Sequence, residues 1–156
     1  MKRSIALFFV FSLILIGCAS LPPIQTMKDE TANFQLPKLP EEGKAIVYVV
    51  RPTMLGGAIR FNVFVDDQEE PSEMGYTRGN QYIYFNVMPG ERKIYSKAEN
   101  WAETIITANI GDIFFIQQEP AMGIIMARNN LFKIEDYEGK YHVKSLSLGT
   151  IIKSDK

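Results

Sequence analysis

The run Ala45-Ile46-Val47-Tyr48-Val49-Val50, closed by Arg51-Pro52, constrains the fold more than any other part of this chain. It is apolar at odd and even positions alike, so as a strand it needs cover on both faces and belongs in the middle of a sheet. Pro52 ends it by removing a ladder donor. Further β-branched and aromatic runs follow at 59–65, 82–87, 92–97, 101–108, 112–118 and 123–128. In the second, Ile59, Phe61, Val63 and Val65 share one face. In the third, Ile83, Phe85 and Val87 alternate with Tyr82, Tyr84 and Asn86. Gly56-Gly57, Asp66-Asp67, Asn109 with Gly111, and Pro120 mark connections. Met88-Pro89-Gly90-Glu91 suits a type II turn, which predicts that 92–97 returns antiparallel to 82–87. About seven strands at this spacing predict a mainly β fold, an antiparallel β-sandwich or open barrel. After Leu131 the pattern supports two readings. Ile134, Tyr137 and Tyr141 are spaced as on a short C-terminal helix, weakened at Gly139 by ~1 kcal/mol relative to alanine; a strand through Tyr141 and Val143 is the alternative. At 156 residues and 46% hydrophobic, the chain suits one domain spanning 43–156.

The N-terminus is of a different kind. Lys2 and Arg3 precede an apolar stretch from Ile5 to Ile16, broken by Ser12. A membrane span needs ~20 apolar residues, and this stretch is shorter, as a secretory signal core is. Leu15-Ile16-Gly17-Cys18 resembles the lipobox of bacterial lipoproteins. That resemblance implies a signal peptide at 1–17, cleaved before Cys18, whose thiol carries a diacylglycerol and whose new amine is acylated. One acyl chain binds a membrane reversibly, at ~0.8 kcal/mol per buried methylene; two or three make a durable anchor. Cys18 is the sole cysteine, so no disulfide forms within the chain. Ala19, not Asp, follows it, which by resemblance to enteric sorting favours the outer membrane, facing the periplasm. Residues 18–42, with Pro22, Pro23, Pro37 and Pro40, read as a semi-rigid tether holding the domain off the lipid. The alternative is an edge segment lying along the domain, burying Phe34 and Leu36.

Three stretches come in a recognisable order: Ala45-Ile46-Val47-Tyr48-Val49-Val50-Arg51-Pro52, then Val63-Phe64-Val65-Asp66-Asp67, then Tyr82-Ile83-Tyr84-Phe85-Asn86-Val87-Met88-Pro89-Gly90. Together they resemble an uncharacterised domain family of bacterial lipoproteins, known as a domain of unknown function, over roughly Gly43 to Glu138. The succession is also similar to PEGA-type β modules of bacterial envelopes. The segment from Gln68 to Gly79 departs from the family pattern, being longer and more acidic than its short hairpin. The resemblance implies an all-β envelope domain and assigns no activity.

Composition narrows the chemistry. Lys and Arg number 17 against 18 acidic residues; residues 1–17 hold Lys2, Arg3 and no acid, so the mature chain has 15 against 18. No basic face is suggested, and nucleic acid is not an expected partner. His142 is the lone histidine, which excludes a multi-histidine metal site, and no metal or cofactor is expected. No Gly-x-Ser-x-Gly elbow accompanies His142, which reads as a solvent-facing side chain rather than a catalytic base. Asp66-Asp67, Glu69-Glu70 and Glu73 read as solvated turn acids, without calcium-loop spacing and without the cleft a carboxylate pair requires.

Two apolar segments are candidate interaction loops: Met54 and Leu55 within 54–58, and Met122 and Ile124 within 120–126. Methionine adapts to irregular partners, and exposed apolar patches mark docking sites; the competing reading has both segments capping the core. Tyr82, Tyr84, Tyr95 and Trp101 are a further candidate face. The expected function is a lipid-anchored, non-enzymatic envelope module that binds an envelope protein or self-associates. The alternative is a carrier or sensor of a small apolar or glycan ligand held between the sheets.

Overall fold

A computed structural model describes residues 21–156, so the signal segment and Cys18 lie outside the described residues. The described chain runs α1 (Ile24–Thr31), β1 (Ala45–Arg51), β2 (Phe61–Val65), β3 (Glu73–Thr77), β4 (Gln81–Val87), β5 (Gly90–Lys97), β6 (Trp101–Ala108), β7 (Ile113–Ala121), β8 (Arg128–Ile134), α2 (Asp136–Ser145), β9 (Ser147–Leu148) and β10 (Thr150–Ile151). The strands form two five-stranded sheets, ordered β8-β7-β1-β4-β9 and β10-β3-β2-β5-β6. The mainly β sandwich expected from the sequence is present, with the short C-terminal helix.

β1 is the central strand of its sheet and is buried along its whole length. Ala45, Val47 and Val49 face the second sheet and, with Ile83, Phe85 and Ile116 of their own sheet, share the inner core with its Val63, Val65 and Ile94. Ile46, Tyr48 and Val50 face outward into a second cluster with Phe115, Ile134 and Val143, under a layer of helix. The unbroken apolar run is thus two alternating sets, each with its own cover. Gly139 is what lets α2 come down: a Cβ there would overlap the Phe115 ring. The glycine that weakens the helix by propensity is the point where the helix meets the sheet.

Several expectations change. The Pro89-Gly90 turn carries the chain from one sheet to the other, so β5 pairs with β2 and β6 and not with β4. β1 pairs with β7 in parallel, from Ile46↔Ile113 to Val50↔Gln117, and β4 pairs with β9 in parallel, so the sandwich is not wholly antiparallel. Pro120 lies inside β7; the β1 ladder has ended at Gln117, and no donor is needed there. The acidic stretch before Gly79 supplies β3, and residues 122–127 form a loop, with the strand beginning at Arg128.

Of the segment read as a tether, residues 21–42 lie along the domain and partly bury Phe34 and Leu36, on the outer face of the sheet and not at its edge. α1 buries Met27 and Thr31 and packs on α2, with Lys28 Nζ 5.2 Å above the Tyr137 ring and Lys144 Nζ donating to Glu30 O at 2.9 Å. Phe34 and Leu36 then cover the outer cluster. The Tyr48 hydroxyl, donating to Lys38 O at 2.5 Å and accepting from Lys38 N at 3.0 Å, fixes the extended stretch.

Strand directions give the sandwich two ends. β1 starts beside Gly111, whose N–H donates to Lys44 O, and finishes at Pro52. The Gly111 end therefore holds the turns at 66–72, 88–89 and 109–112. The Pro52 end holds the connections at 52–60, 78–80, 98–100 and 122–127.

Candidate functional site

The parallel β1–β7 pairing delivers both candidate loops to the Pro52 end. There Leu55, Gly56 and Ile59 of one loop face Met122, Gly123, Ile125 and Met126 of the other across an open apolar groove of about 330 Å³. Gly56 is the contact between them: its φ is +59°, and a Cβ would stand 2.9 Å from that of Ala127. Met122, Ile124 and Ile125 are 84%, 92% and 88% exposed, and Met54 and Leu55 are exposed too. The loops are not caps tucked over the core. They form one protruding apolar surface.

Two charged side chains build this surface from behind. Arg51 shares the inward face of Val47 and Val49 and is fully buried. Its guanidinium donates to Ile59 O, Leu55 O and Gly56 O at 2.8–2.9 Å and stacks 3.7 Å from the centroid of Phe61. Burial pulls it down to about 10, which leaves it cationic at neutral pH. Glu99 holds the other loop: its carboxylate accepts from Ile124 N at 3.0 Å and from Ile125 N and Met126 N at 2.7 Å. Those backbone bonds hold Glu99 well below the usual carboxylate range, at about 2. With its amides so engaged, the Ile124-Ile125 tip turns its side chains outward. Next door, Asn100 ties the sheets together, accepting from Asn129 N at 2.8 Å and donating to Asn129 O at 2.9 Å.

The other candidates stay apart. Tyr82 and Tyr84 join Tyr48 on the helix-covered face, whereas Tyr95 and Trp101 pack near Phe64 on the other sheet, so the four aromatics make no single face. His142 is buried, lines a pocket with Leu21 and Pro22, and is not solvent-facing; burial pushes it down to about 4, so it is neutral at pH 7. Its Nε2 lies 3.8 Å from Glu138. The turn acids serve their own loops: Asp66 pairs with Arg92 at 2.5 Å, Asp67 accepts from Glu69 N at 2.9 Å, and Glu73 accepts from Asn62 at 2.6 Å. Among the described residues, no three His, Cys, Asp or Glu side chains converge as metal ligands, and no helix is long and apolar enough to cross a membrane.

Sequence reasoning passed over Arg51, Glu99 and Gln118. Two of them carried a signal, because alternation puts Arg51 with Val47 and Val49, and Gln118 with Phe114 and Ile116, on faces that point inward. Gln118 is fully buried between the sheets, accepting from Thr77 and donating to Ser96 Oγ at 2.8 Å. Glu99 offered no such signal, since its acceptors' partners are backbone groups 25–27 residues away.

Comparison with known proteins shows a family and brings no activity. An uncharacterized protein of Haemophilus influenzae (strain ATCC 51907 / DSM 11121 / KW20 / Rd) is 26% identical over 138 residues, covering 88% of this chain and 79% of its own length. The family model described as "Protein of unknown function (DUF2846)" matches residues 41–132, from just before β1 into β8 and across both loops of the groove. The match takes in more than half of the chain, and the chain belongs to that family.

Proposed function

We propose that this protein is a lipid-anchored, non-enzymatic interaction module of the bacterial envelope, tethered through acylated Cys18 and engaging its partner with the Pro52 end. The observation that carries this reading is the convergence of Leu55, Ile59, Met122, Ile125 and Met126 on one open apolar groove, with Met54 and Ile124 exposed on the same two loops, positioned by a buried arginine and a fully engaged carboxylate. A chain does not fix an apolar tip outward with three amide bonds if the tip's role is to fill its own core. The lipobox-like Leu15-Ile16-Gly17-Cys18 supports the anchor, Ala19 favours the outer membrane, and the likeness to PEGA-type modules fits a binding role in the envelope.

A second reading, a carrier of a small apolar ligand, is favoured by the groove itself, whose volume of about 330 Å³ falls at the small end of ligand sites. Such a ligand would sit at the Pro52 end, because Val47, Val63, Phe85 and Gln118 fill the space between the sheets. Mass spectrometry of the mature protein from its host tests the anchor: the expected mass begins at Cys18 and includes acyl chains. A photo-crosslinking residue at position 55 or 124 should give adducts in intact cells, and one at Ile110 should not. Equal yields at all three positions would remove the surface from consideration.

A further inference from the structure

The described chain begins at Leu21, which with Pro22 lies against Pro52, Asn80, His142 and Leu146. Pro52 opens the 52–60 loop, and Asn80 N donates to Thr53 O in that loop. The chain therefore comes into the fold at the end that carries the apolar tips. From there α1 and the extended stretch run along the sandwich to the Gly111 end, where β1 begins. Only three residue steps separate Leu21 from Cys18, a reach of about 11 Å even when fully extended. The segment that would have been a spacer is consumed by the fold.

The charge is arranged to match. Arg60, Arg78 and Arg128 are exposed around the Pro52 end, and the one acid in its loops, Glu99, is engaged by backbone amides. The Gly111 end carries Asp66, Asp67, Glu69, Glu70 and Asp112 in its turns. A chain of net acidic character thus turns a basic, apolar face toward the point from which its anchor departs.

We propose that the Pro52 end sits on the same lipid leaflet that holds the acyl chains of Cys18, with Leu55, Ile124 and Ile125 inserted at the headgroup–acyl boundary and Arg60, Arg78 and Arg128 meeting lipid phosphates. This deepens the reading above, on whose acylated Cys18 it rests, by naming the leaflet as what the surface engages. The depth involved is that of an interfacial element, ~5–10 Å below the headgroups, and no spanning segment is needed. The short link and the inserted tips act together, so the domain stands at a fixed orientation with the Gly111 end pointing away from the membrane.

The test uses the mature acylated protein in vesicles of phosphatidylethanolamine and phosphatidylglycerol. Because the thioether blocks Cys18, an introduced cysteine is the only free thiol. Ile124→Cys and Ile110→Cys, both at exposed sites on opposite ends, each receive a polarity-sensitive fluorophore. The expected result is a blue-shifted label at 124 that brominated acyl chains quench and aqueous iodide does not, with the reverse at 110. A label at 124 that iodide quenches as readily as the one at 110 overturns the proposal. A label at 124 that is aqueous in vesicles but shielded in cells also overturns it, leaving the interaction reading intact with a protein as partner. Shielding that rises with protein concentration in detergent points to a second copy and overturns it in the same way. An unacylated Cys18, seen by mass before any vesicle is made, removes both readings.

Discussion

The two ends of the sandwich are made from the same kinds of connection, and they differ in what those connections expose. At the Gly111 end, Met88 and Ile110 are exposed singly among Pro, Gly, Asn and Asp neighbours, and the 66–72 turn is acidic. Isolated apolar side chains of this kind are ordinary on a protein surface. At the Pro52 end the exposed apolar side chains are contiguous, two loops share them, and the polar groups behind them point inward to hold the backbone. The difference separates a turn that only reverses the chain from one that presents something. A turn of the first kind is held largely by its own short side chains, as by Asp112 in accepting from Asn109 N at 2.8 Å. The second kind draws its partners from distant parts of the sequence, so its shape depends on the whole fold.

The largest effect should come from removing the inward support of the Pro52 end. Arg51→Met keeps most of the side-chain volume but withdraws the donors from Leu55 O, Gly56 O and Ile59 O. Bonds to a charged donor contribute ~1.5–3 kcal/mol each, and water entering the loop restores part of that, so a net loss of roughly 3 kcal/mol is expected in urea unfolding. Asp112→Ala, the matching deletion at the other end, should cost about 1 kcal/mol or less, since the turn acid is exchanged for water. Equal losses at the two ends would mean that the contrast between them is one of surface only.

A smaller effect tests the layer that fixes where the chain comes in. Gly139→Ala gains about 1 kcal/mol of helix propensity, yet the new methyl would overlap Phe115. Overpacking of this kind costs ~1–3 kcal/mol, so the variant should be less stable than the parent, with α1 and α2 amides exchanging faster while the 122–127 loop is unchanged. A more stable variant would show that α2 does not rest on Phe115 as closely as the fold requires.

How much of this was legible follows from the range of the interactions. β1 was readable because burial on both faces writes itself into consecutive residues, and β4 because Ile83, Phe85 and Val87 alternate against Tyr82 and Tyr84. The parallel partnership of β1 with β7 was not, since no local pattern names a partner more than sixty residues away. That pairing brings the two apolar loops together, so each could be singled out from the sequence while their union could not. β3 was hidden because Glu73 and Gly75 interrupt its apolar positions. There Gly75 leaves room for Thr150, with which a Cβ would clash. His142 reads as exposed from its polar neighbours, yet it lies on the buried face of α2, which local sequence does not mark.

The smallest expected effect on global stability falls at Glu99, where the two ends differ most in kind. Its carboxylate is held at about 2 by the amides of Met126, Ile124 and Ile125. A carboxylate whose folded value lies below its ordinary 4.5 favours the ordered loop fully above 4.5. That contribution shrinks as pH falls below 4.5 and is gone below about 2. Lowering the pH should therefore release the 123–126 tip before the sandwich unfolds, seen as faster amide exchange at Ile124, Ile125 and Met126 while the 109–112 turn keeps its protection. Glu99→Gln should produce the released state at neutral pH, because a neutral amide accepts more weakly and has one acceptor oxygen for three donors. Glu99→Asp keeps the charge but draws it back by one methylene, and should fall between the two. If all three proteins exchange alike at neutral pH, the tip is held by its apolar contacts with Leu55 and Ile59, and the carboxylate is not what presents it.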